Sequence, residues 1–311
     1  MLFFPKVTQG PIVRAEDFMC QKDGRKRFGD INWETVFKTL VLGYFLKMVI
    51  ADNLKDFTFW MPHYDNFGPL TLLTFVFGYS IQLFADFAGY SLVAIGIAAL
   101  LGYRLPQNFD FPYVASSFRN FWKRWHITLS EFLMKYLYFG LGGSRKGKMR
   151  TYVNLILTMT LGGIWHGAGV SYVLWGFMHG VALAIERKVM GDRLKDEASW
   201  SMTFRVVYTL FVFVCVSFLW LFFVLPDFSQ FTGYLSCLCD FHRGVALIDV
   251  KKTAPIVVYA LPVVLWHMMY LMRNTRTADV LRKVNYLWYG IMLFLIITNS
   301  GTSSQFIYVQ F

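Results

Sequence analysis

Residues 153–169 read VNLILTMTLGGIWHGAG, an apolar run that ends in glycines around a single histidine. The run is apolar enough to lie within a bilayer. A titratable side chain such as His166 is costly there unless it faces a cavity, a partner or a substrate. Glycines let the backbone bend and approach other groups closely. The stretch therefore predicts a broken intramembrane segment that carries a reaction centre.

Two basic segments, residues 144–150 and 187–195, flank this run. Lys and Arg concentrate in the cytoplasmic loops of membrane proteins, so both segments are predicted to be cytoplasmic. The apolar block between them, residues 152–185, must then enter the membrane and return. Its length suits two short half-crossings joined at residues 162–169 better than two full spans. Irregular backbone at that depth is tolerated only where it lines a cavity, so His166 is expected near the bottom of a funnel or tunnel.

Apolar blocks separated by short basic loops continue along the chain. Of the 311 residues, 56% are hydrophobic and 16% are charged, whereas a soluble domain carries about a quarter charged residues. Residues 131–141 are too short to span, which suits an interfacial or re-entrant helix. The longer blocks cover residues 36–50, 68–101, 204–225, 255–272 and 285–300.

The second of these blocks is predicted to break near Asp86 and Gly89, while the last three are predicted to be ordinary spans. The chain has no series of alternating strands of about ten residues, as a membrane barrel would. It also has no internal repeat and no linker. We therefore predict an all-α polytopic membrane protein, with residues 1–311 as a single domain.

The net charge of +11 comes from 30 basic and 19 acidic residues. In a soluble protein this balance would suggest nucleic-acid binding. Here the basic residues lie in short loops between apolar blocks, which is the pattern of membrane topology. We therefore expect the lipid bilayer as a partner, and no nucleic acid. The four cysteines lack the spacing of a redox or metal pair, so neither a disulfide framework nor a metal site is predicted.

Two further histidines join His166 as candidates for acid–base chemistry. His126 lies in a basic and aromatic segment, and His179 lies in the same apolar block as His166. Histidine is the side chain best suited to act as a general base near neutral pH, and a base makes a hydroxyl a better nucleophile. The alternatives are a hydrogen-bonded core residue for His179 and an interfacial residue for His126. On a continuous helix, His179 would point away from His166.

Asp86 is the other charged residue at predicted membrane depth. It is expected either to orient a histidine or a backbone turn, or to cap a helix that begins near Ser91. The sequence contains no GxSxG elbow, P-loop or HExxH motif. Readings as a soluble-type serine hydrolase, a nucleoside triphosphatase or a zinc protease therefore find no support.

Four motifs follow one another along the chain: DFAGYS at residues 86–91, NFWKRWHI at 120–127, LGGSRKG at 141–147 and GGIWHGA at 162–168. In this order they resemble the membrane-bound O-acyltransferase family, in its bacterial alginate O-acetyltransferase-like branch. The resemblance implies a ring of transmembrane and re-entrant helices around a central tunnel. Members of this branch carry several helices before the segment that begins this chain, so the chain is expected to lack them.

The resemblance also implies an activity, the transfer of an acyl group from a cytoplasmic thioester to hydroxyls of an extracytoplasmic polysaccharide, or to a partner that passes it on. In this branch the acyl group is an acetyl group. The family's near-invariant histidine matches His166, and its second histidine matches His126. Further candidate supporting residues are Asp86, Trp165, Asn154 and His179.

The expected donor is acetyl-CoA or another acyl thioester, which is a substrate, and no bound cofactor is expected. A periplasmic or extracytoplasmic partner resembling an acetyltransferase or esterase is also implied. The expected location is the bacterial inner membrane, crossed several times.

The basic loop before the glycine-broken block is a candidate donor-binding site. It contains four basic side chains and no acidic one, namely Arg145, Lys146, Lys148 and Arg150. Such a group would attract an anionic donor. The alternative is that these residues set the membrane topology alone.

Two further functions fit broken membrane helices with central polar residues. One is a transporter or channel that moves a substrate without chemistry, and the other is a scaffold subunit for cell-surface polymer modification. Transporters often carry inverted repeats, and the sequence contains none. A scaffold would not need His166.

Overall fold

The computed structural model describes residues 10–21, 27–242, 244–273 and 285–302. Within these ranges every regular element is a helix, which confirms the all-α prediction for the described part of the chain. The helices in chain order are α1 (Ala15–Met19), α2 (Trp33–Tyr44), α3 (Asp52–Thr58), α4 (Pro69–Leu100), α5 (Phe118–Trp122), α6 (Ile127–Phe132), α7 (Lys148–His166), α8 (Val170–Met190), α9 (Met202–Leu219), α10 (Leu221–Val224), α11 (Phe228–Cys239), α12 (Val250–Leu271) and α13 (Asn285–Thr298).

Three helical stretches of the described chain are long and apolar enough to cross a membrane. They are α4, the run Met202–Val224 formed by α9 and α10, and α12. These stretches agree with the prediction of a polytopic membrane protein. Within the described residues, the predicted span at 285–300 corresponds to α13, which has 14 residues. At 1.5 Å per residue it is about 21 Å long, less than the bilayer core.

The region predicted as an interfacial or re-entrant helix, residues 131–141, is short in the structure as well. There α6 continues into a π-helical segment, Leu133–Tyr138. Together these two pieces run from residue 127 to residue 138, about 18 Å at the rise of an α-helix. This length confirms that the segment does not form a full span.

The predicted break in the block at residues 68–101 is wrong, because α4 runs unbroken from Pro69 to Leu100. Gly89 lies against Gly43 of α2, where an added Cβ would be 2.8 Å from the Gly43 carbonyl oxygen. The glycine therefore allows two helices to approach closely, and it does not interrupt the helix.

Asp86, the other expected break point, lies inside α4 and is buried. The alternative of a cap near Ser91 is wrong, because α4 continues through both residues. The Asp86 Oδ1 instead accepts a hydrogen bond of 2.7 Å from the Lys47 Nζ. The same ammonium donates to the Asp52 Oδ1 at 2.7 Å. Lys47 belongs to the π-helical segment Phe45–Ala51, which joins α2 to α3. Two carboxylates thus compensate one buried positive charge.

Helices α7 and α8 pack against each other as a hairpin at the predicted reaction centre. An added Cβ at Gly163 would lie 2.2 Å from the Tyr172 carbonyl oxygen, and one at Gly176 would lie 2.3 Å from the Met159 carbonyl oxygen. Only glycine fits at these two positions. The small residues therefore hold the two backbones in direct contact.

The turn of this hairpin lies at residues 167–169, inside the predicted range of 162–169. The two helices are longer than the predicted half-crossings, with 19 and 21 residues, or about 28 and 32 Å. They are longer because helical structure continues from the apolar block into both basic segments. Those segments lie at the same end of the hairpin, and their location on one side of the membrane stays a prediction.

The described residues fall into two compact units. One contains the described residues between 10 and 57, 81 and 109, and 255 and 302, and the other contains residues 58–80 and 110–254. The hairpin and the three candidate histidines belong to the second unit, and Asp86 belongs to the first. A single domain, and a ring of helices around a tunnel, stay predictions.

Candidate active site

His166 is the last residue of α7, at the irregular turn of the hairpin. Its side chain is 8% exposed. Three aromatic rings meet it edge to face, with centroid distances of 5.1 Å to Trp165, 5.2 Å to Trp175 and 5.5 Å to Phe223. A helix end and an aromatic wall thus hold a titratable group in an enclosed place, which is a setting in which acid–base groups are found.

His126 lies in the turn between α5 and α6, where its φ of 42° puts a non-glycine residue in the left-handed region. Such a conformation is uncommon, and it persists only where the surroundings impose it, often at functional sites. Two backbone bonds hold the turn: the Trp125 N–H donates to the Phe121 carbonyl at 2.8 Å, and the Ser130 N–H donates to the His126 carbonyl at 3.0 Å. The imidazole is buried.

Trp165 brings these two histidines together. Its ring centroid lies 6.4 Å from that of His126 and 5.1 Å from that of His166. Residues forty positions apart in the sequence therefore meet beside one indole. The sequence motifs identified both histidines as candidates, and the structure places both next to the Trp165 ring.

His179 lies beyond Trp175, whose ring contacts it at 4.9 Å. The continuous helix on which His179 would point away from His166 does not form: α7 and α8 are separate helices, and both imidazoles contact Trp175. Phe121 and Trp122 of α5 complete the enclosure of His179, which has no exposed surface. Neither ring nitrogen has a hydrogen-bond partner among the described residues. The predicted hydrogen-bonded core role therefore does not describe this site.

Asn154 of α7 is fully buried and holds the turn that precedes its helix. Its Nδ2 donates to the carbonyls of Leu141 and Gly143, at 3.2 and 2.9 Å. These bonds give Asn154 a structural role in fixing the turn. They do not place it beside His166.

The four basic side chains proposed to bind a donor are exposed, at the end of α7 opposite His166. They are Arg145, Lys146, Lys148 and Arg150. From Lys148 to His166 the helix rises about 27 Å. The structure therefore does not bring this basic group and the histidines together. Among the residues that the structure describes, no group of three or more His, Cys, Asp or Glu side chains could hold a metal ion.

Glu186 is a buried residue of this region that no sequence motif singles out. Its carboxylate accepts from the backbone N–H groups of Phe118 and Arg119, at 2.7 and 3.0 Å, and from the Tyr208 hydroxyl at 3.0 Å. Burial raises the pKa of the Glu186 carboxyl, and these three donors oppose the rise. Glu186 lies seven residues after His179, which puts both on one face of α8. This spacing was the sequence feature that could have indicated that Glu186 is buried.

Comparison with known proteins agrees with the motifs. A family model described as the membrane-bound O-acyltransferase family matches residues 1–225. The peptidoglycan O-acetyltransferase of Helicobacter pylori is 36% identical over 264 residues, covering 81% of this chain and 48% of that protein. A probable alginate O-acetylase of Pseudomonas fluorescens is 40% identical over 210 residues, covering 66% of this chain and 42% of that protein.

A more distant relative is the teichoic acid D-alanyltransferase of Bacillus subtilis. It is 30% identical over 235 residues, covering 70% of this chain and 58% of that protein. The chain spans about half the length of the curated relatives it matches.

Proposed function

Because the chain belongs to the membrane-bound O-acyltransferase family, we propose that it transfers an acyl group from a thioester donor to a hydroxyl of a cell-surface polymer. The observation that carries this proposal is the meeting of His126 and His166 at Trp165. Both imidazoles are buried, and His166 lies at a helix end. Two buried imidazoles against one indole suit proton transfer during acyl transfer.

His166 acts as the general base in this proposal. It takes the proton of the acceptor hydroxyl as the oxygen attacks the thioester carbonyl carbon. The carbon–sulfur bond then breaks, an ester forms, and the leaving thiolate takes the proton from the His166 imidazolium, which restores the neutral base. His126 orients His166 or holds the donor. General-base catalysis contributes roughly a hundred- to ten-thousand-fold to such reactions.

The printed names of the relatives suggest the substrates. Two of them transfer acetyl groups, to peptidoglycan or alginate, and a third transfers D-alanyl groups to teichoic acid. We therefore propose a small acyl group, acetyl first, with acetyl-CoA or another acyl thioester as donor and a polysaccharide hydroxyl as acceptor. The proposed location is the bacterial inner membrane, where a periplasmic or extracytoplasmic esterase-like partner would receive or position the product.

The basic group at the start of α7 binds the far end of the donor in this scheme. About 27 Å of helix separates it from His166, so it cannot contact the reacting carbonyl. An anionic moiety distant from the thioester would fit it, and attraction between exposed charges would be sensitive to salt.

The test is the O-acyl content of cell-surface polymer in cells that carry each variant at matched membrane abundance. His166→Ala is expected to abolish transfer, and His126→Ala to reduce it strongly. The exposed His242 supplies the matched control, His242→Ala, with transfer near wild type. Near-normal polymer acylation by the His166 variant would contradict the proposal and favour the transporter or the scaffold.

A further inference from the structure

Glu186 lies in the last two turns of α8 and is buried. Each of its two carboxylate oxygens accepts a hydrogen bond from a different backbone N–H group of α5. Oε1 accepts from the Phe118 N–H at 2.7 Å, and Oε2 accepts from the Arg119 N–H at 3.0 Å. Oε1 also accepts from the Tyr208 hydroxyl. A single carboxylate thus joins α5 to a helix almost seventy residues away.

These bonds give acceptors to the N–H groups at the start of α5. The first N–H groups of a helix have no partner within it. Glu186 takes the first two, and the Ser117 Oγ accepts the Asn120 N–H at 2.9 Å. The negative charge also lies at the positive end of the helix. A helix of five residues is not stable alone, so its position depends on such contacts.

The other end of α5 is held by the same helix. Phe121 and Trp122 pack around His179, with centroid distances of 6.2 and 5.0 Å. His179 and Glu186 are seven residues apart, two turns along one face of α8. The short helix is therefore attached to α8 at both of its ends, by a carboxylate at one and by aromatic packing at the other.

The position of His126 depends on this attachment. α5 leads directly into the turn that holds His126 in its left-handed conformation. α8 packs against α7, which carries His166. The structural path from one histidine to the other therefore runs along α5, α8 and α7.

We propose that Glu186 is a positioning residue, which fixes α5 on α8 so that His126 lies against Trp165 beside His166. The consequence for catalysis rests on the proposed acyl transfer, but the geometric claim does not. The carboxylate contacts neither histidine among the described contacts. It acts through the backbone of α5.

The test compares Glu186→Gln with Glu131→Gln, which makes the same change at an exposed carboxyl of α6. The amide keeps one acceptor oxygen and presents an N–H₂ group to a backbone donor, so one of the two bonds to α5 is lost. The readout is the rate at which diethyl pyrocarbonate modifies each histidine of the whole protein, followed by mass spectrometry. We expect modification of His126 to rise by about threefold or more through local opening, with no change at the buried His267. Glu131→Gln should leave both rates unchanged.

An unchanged rate at His126 in a folded Glu186→Gln protein would overturn the proposal. So would an equal rise at His267, because that result would indicate general destabilisation. If Glu186→Gln does not accumulate, Glu186→Asp replaces it. The shorter carboxylate keeps its charge and reaches only one N–H, and it should raise labelling of His126 to a smaller degree.

Transfer kinetics supply a second, separable result. Glu186→Gln should lower kcat/KM by about tenfold, since misplacement of a group at the reaction centre by about 1 Å is costly. In a His126→Ala background it should cause no further loss, because both changes then act through one group. Additive losses would overturn the positioning role. If the unaltered protein transfers no acyl group, the proposed function fails, while the labelling result still decides the claim about Glu186.

Discussion

At the scale of single residues, three buried histidines differ in what surrounds them. His126 has a strained backbone and lies against Trp165. His166 lies at a helix end, between Trp165 and Trp175. His179 is enclosed by aromatic rings, and neither of its nitrogens has a described partner. This difference separates the two proposed catalytic residues from the third.

His179→Phe is expected to keep acyl transfer within about threefold of the unaltered protein, because the change retains an aromatic ring at the centre of the cluster. It removes two buried polar atoms without partners, which offsets the cost of the added volume. The free energy of unfolding, measured by thermal unfolding of the purified protein, should therefore change by no more than about 1 kcal/mol in either direction. A folded variant that has lost transfer would make His179 part of the chemistry.

Single residues were predicted correctly where their neighbours in the sequence pointed to the same feature. His166 stood out because glycines surround it in an apolar run. Glu186 was missed because a carboxylate beside Arg187 and Lys188 reads as part of a charged loop, and its partners are backbone groups nearly seventy residues away. The buried ion pair of Asp86 was not among the alternatives considered, because its partner Lys47 lies in a separate apolar block.

At the scale of helices, the hairpin of α7 and α8 makes a prediction about the membrane. A basic segment precedes α7 and another follows α8, both at the open end of the hairpin. Ser144 and Lys188 should therefore lie on one side of the membrane. Cysteines introduced singly at these exposed positions should react with a membrane-impermeant thiol reagent from the same face. Lys251, at the start of α12, serves as the comparison and should react from the other face. Labelling of Ser144 and Lys188 from opposite faces would contradict the hairpin.

Glycines explain both the success and the failure at this scale. The turn at residues 167–169 was predicted because glycines cluster there. The same reasoning wrongly placed a break at Gly89, which instead lets α4 approach Gly43 of α2. A glycine that bends a chain and one that admits a neighbouring helix look alike in a sequence. Only the partner helix distinguishes them.

At the scale of the whole molecule, the excess of positive charge gives a prediction about the donor. Changing Arg145, Lys146, Lys148 and Arg150 together to Gln should raise the donor KM and leave kcat near its original value. The reason is that these side chains lie far from His166. The effect should shrink as salt is added. The control variant Arg145→Lys/Arg150→Lys keeps the positive charge, and its donor KM should equal that of the unaltered protein. An unchanged KM in the Gln variant would leave these residues a role in topology alone.

The membrane class and the helical architecture followed from composition and from the spacing of apolar blocks. The meeting of His126 with His166 did not, because it depends on how α5 is held on α8. Long-range attachments of this kind leave no periodic pattern in a sequence. The family motifs compensated for that by marking both histidines.

The most direct test of the central claim is the release of free thiol from an acyl thioester donor by the purified protein, in the presence of a polysaccharide acceptor. A thiol-reactive dye would follow the release continuously, and the ester formed would be measured in parallel. We predict thiol release matched by ester formation for the unaltered protein, and neither for His166→Ala at equal folded concentration. Equal rates in the two proteins, or ester formation without His166, would contradict the assignment of His166 as the general base.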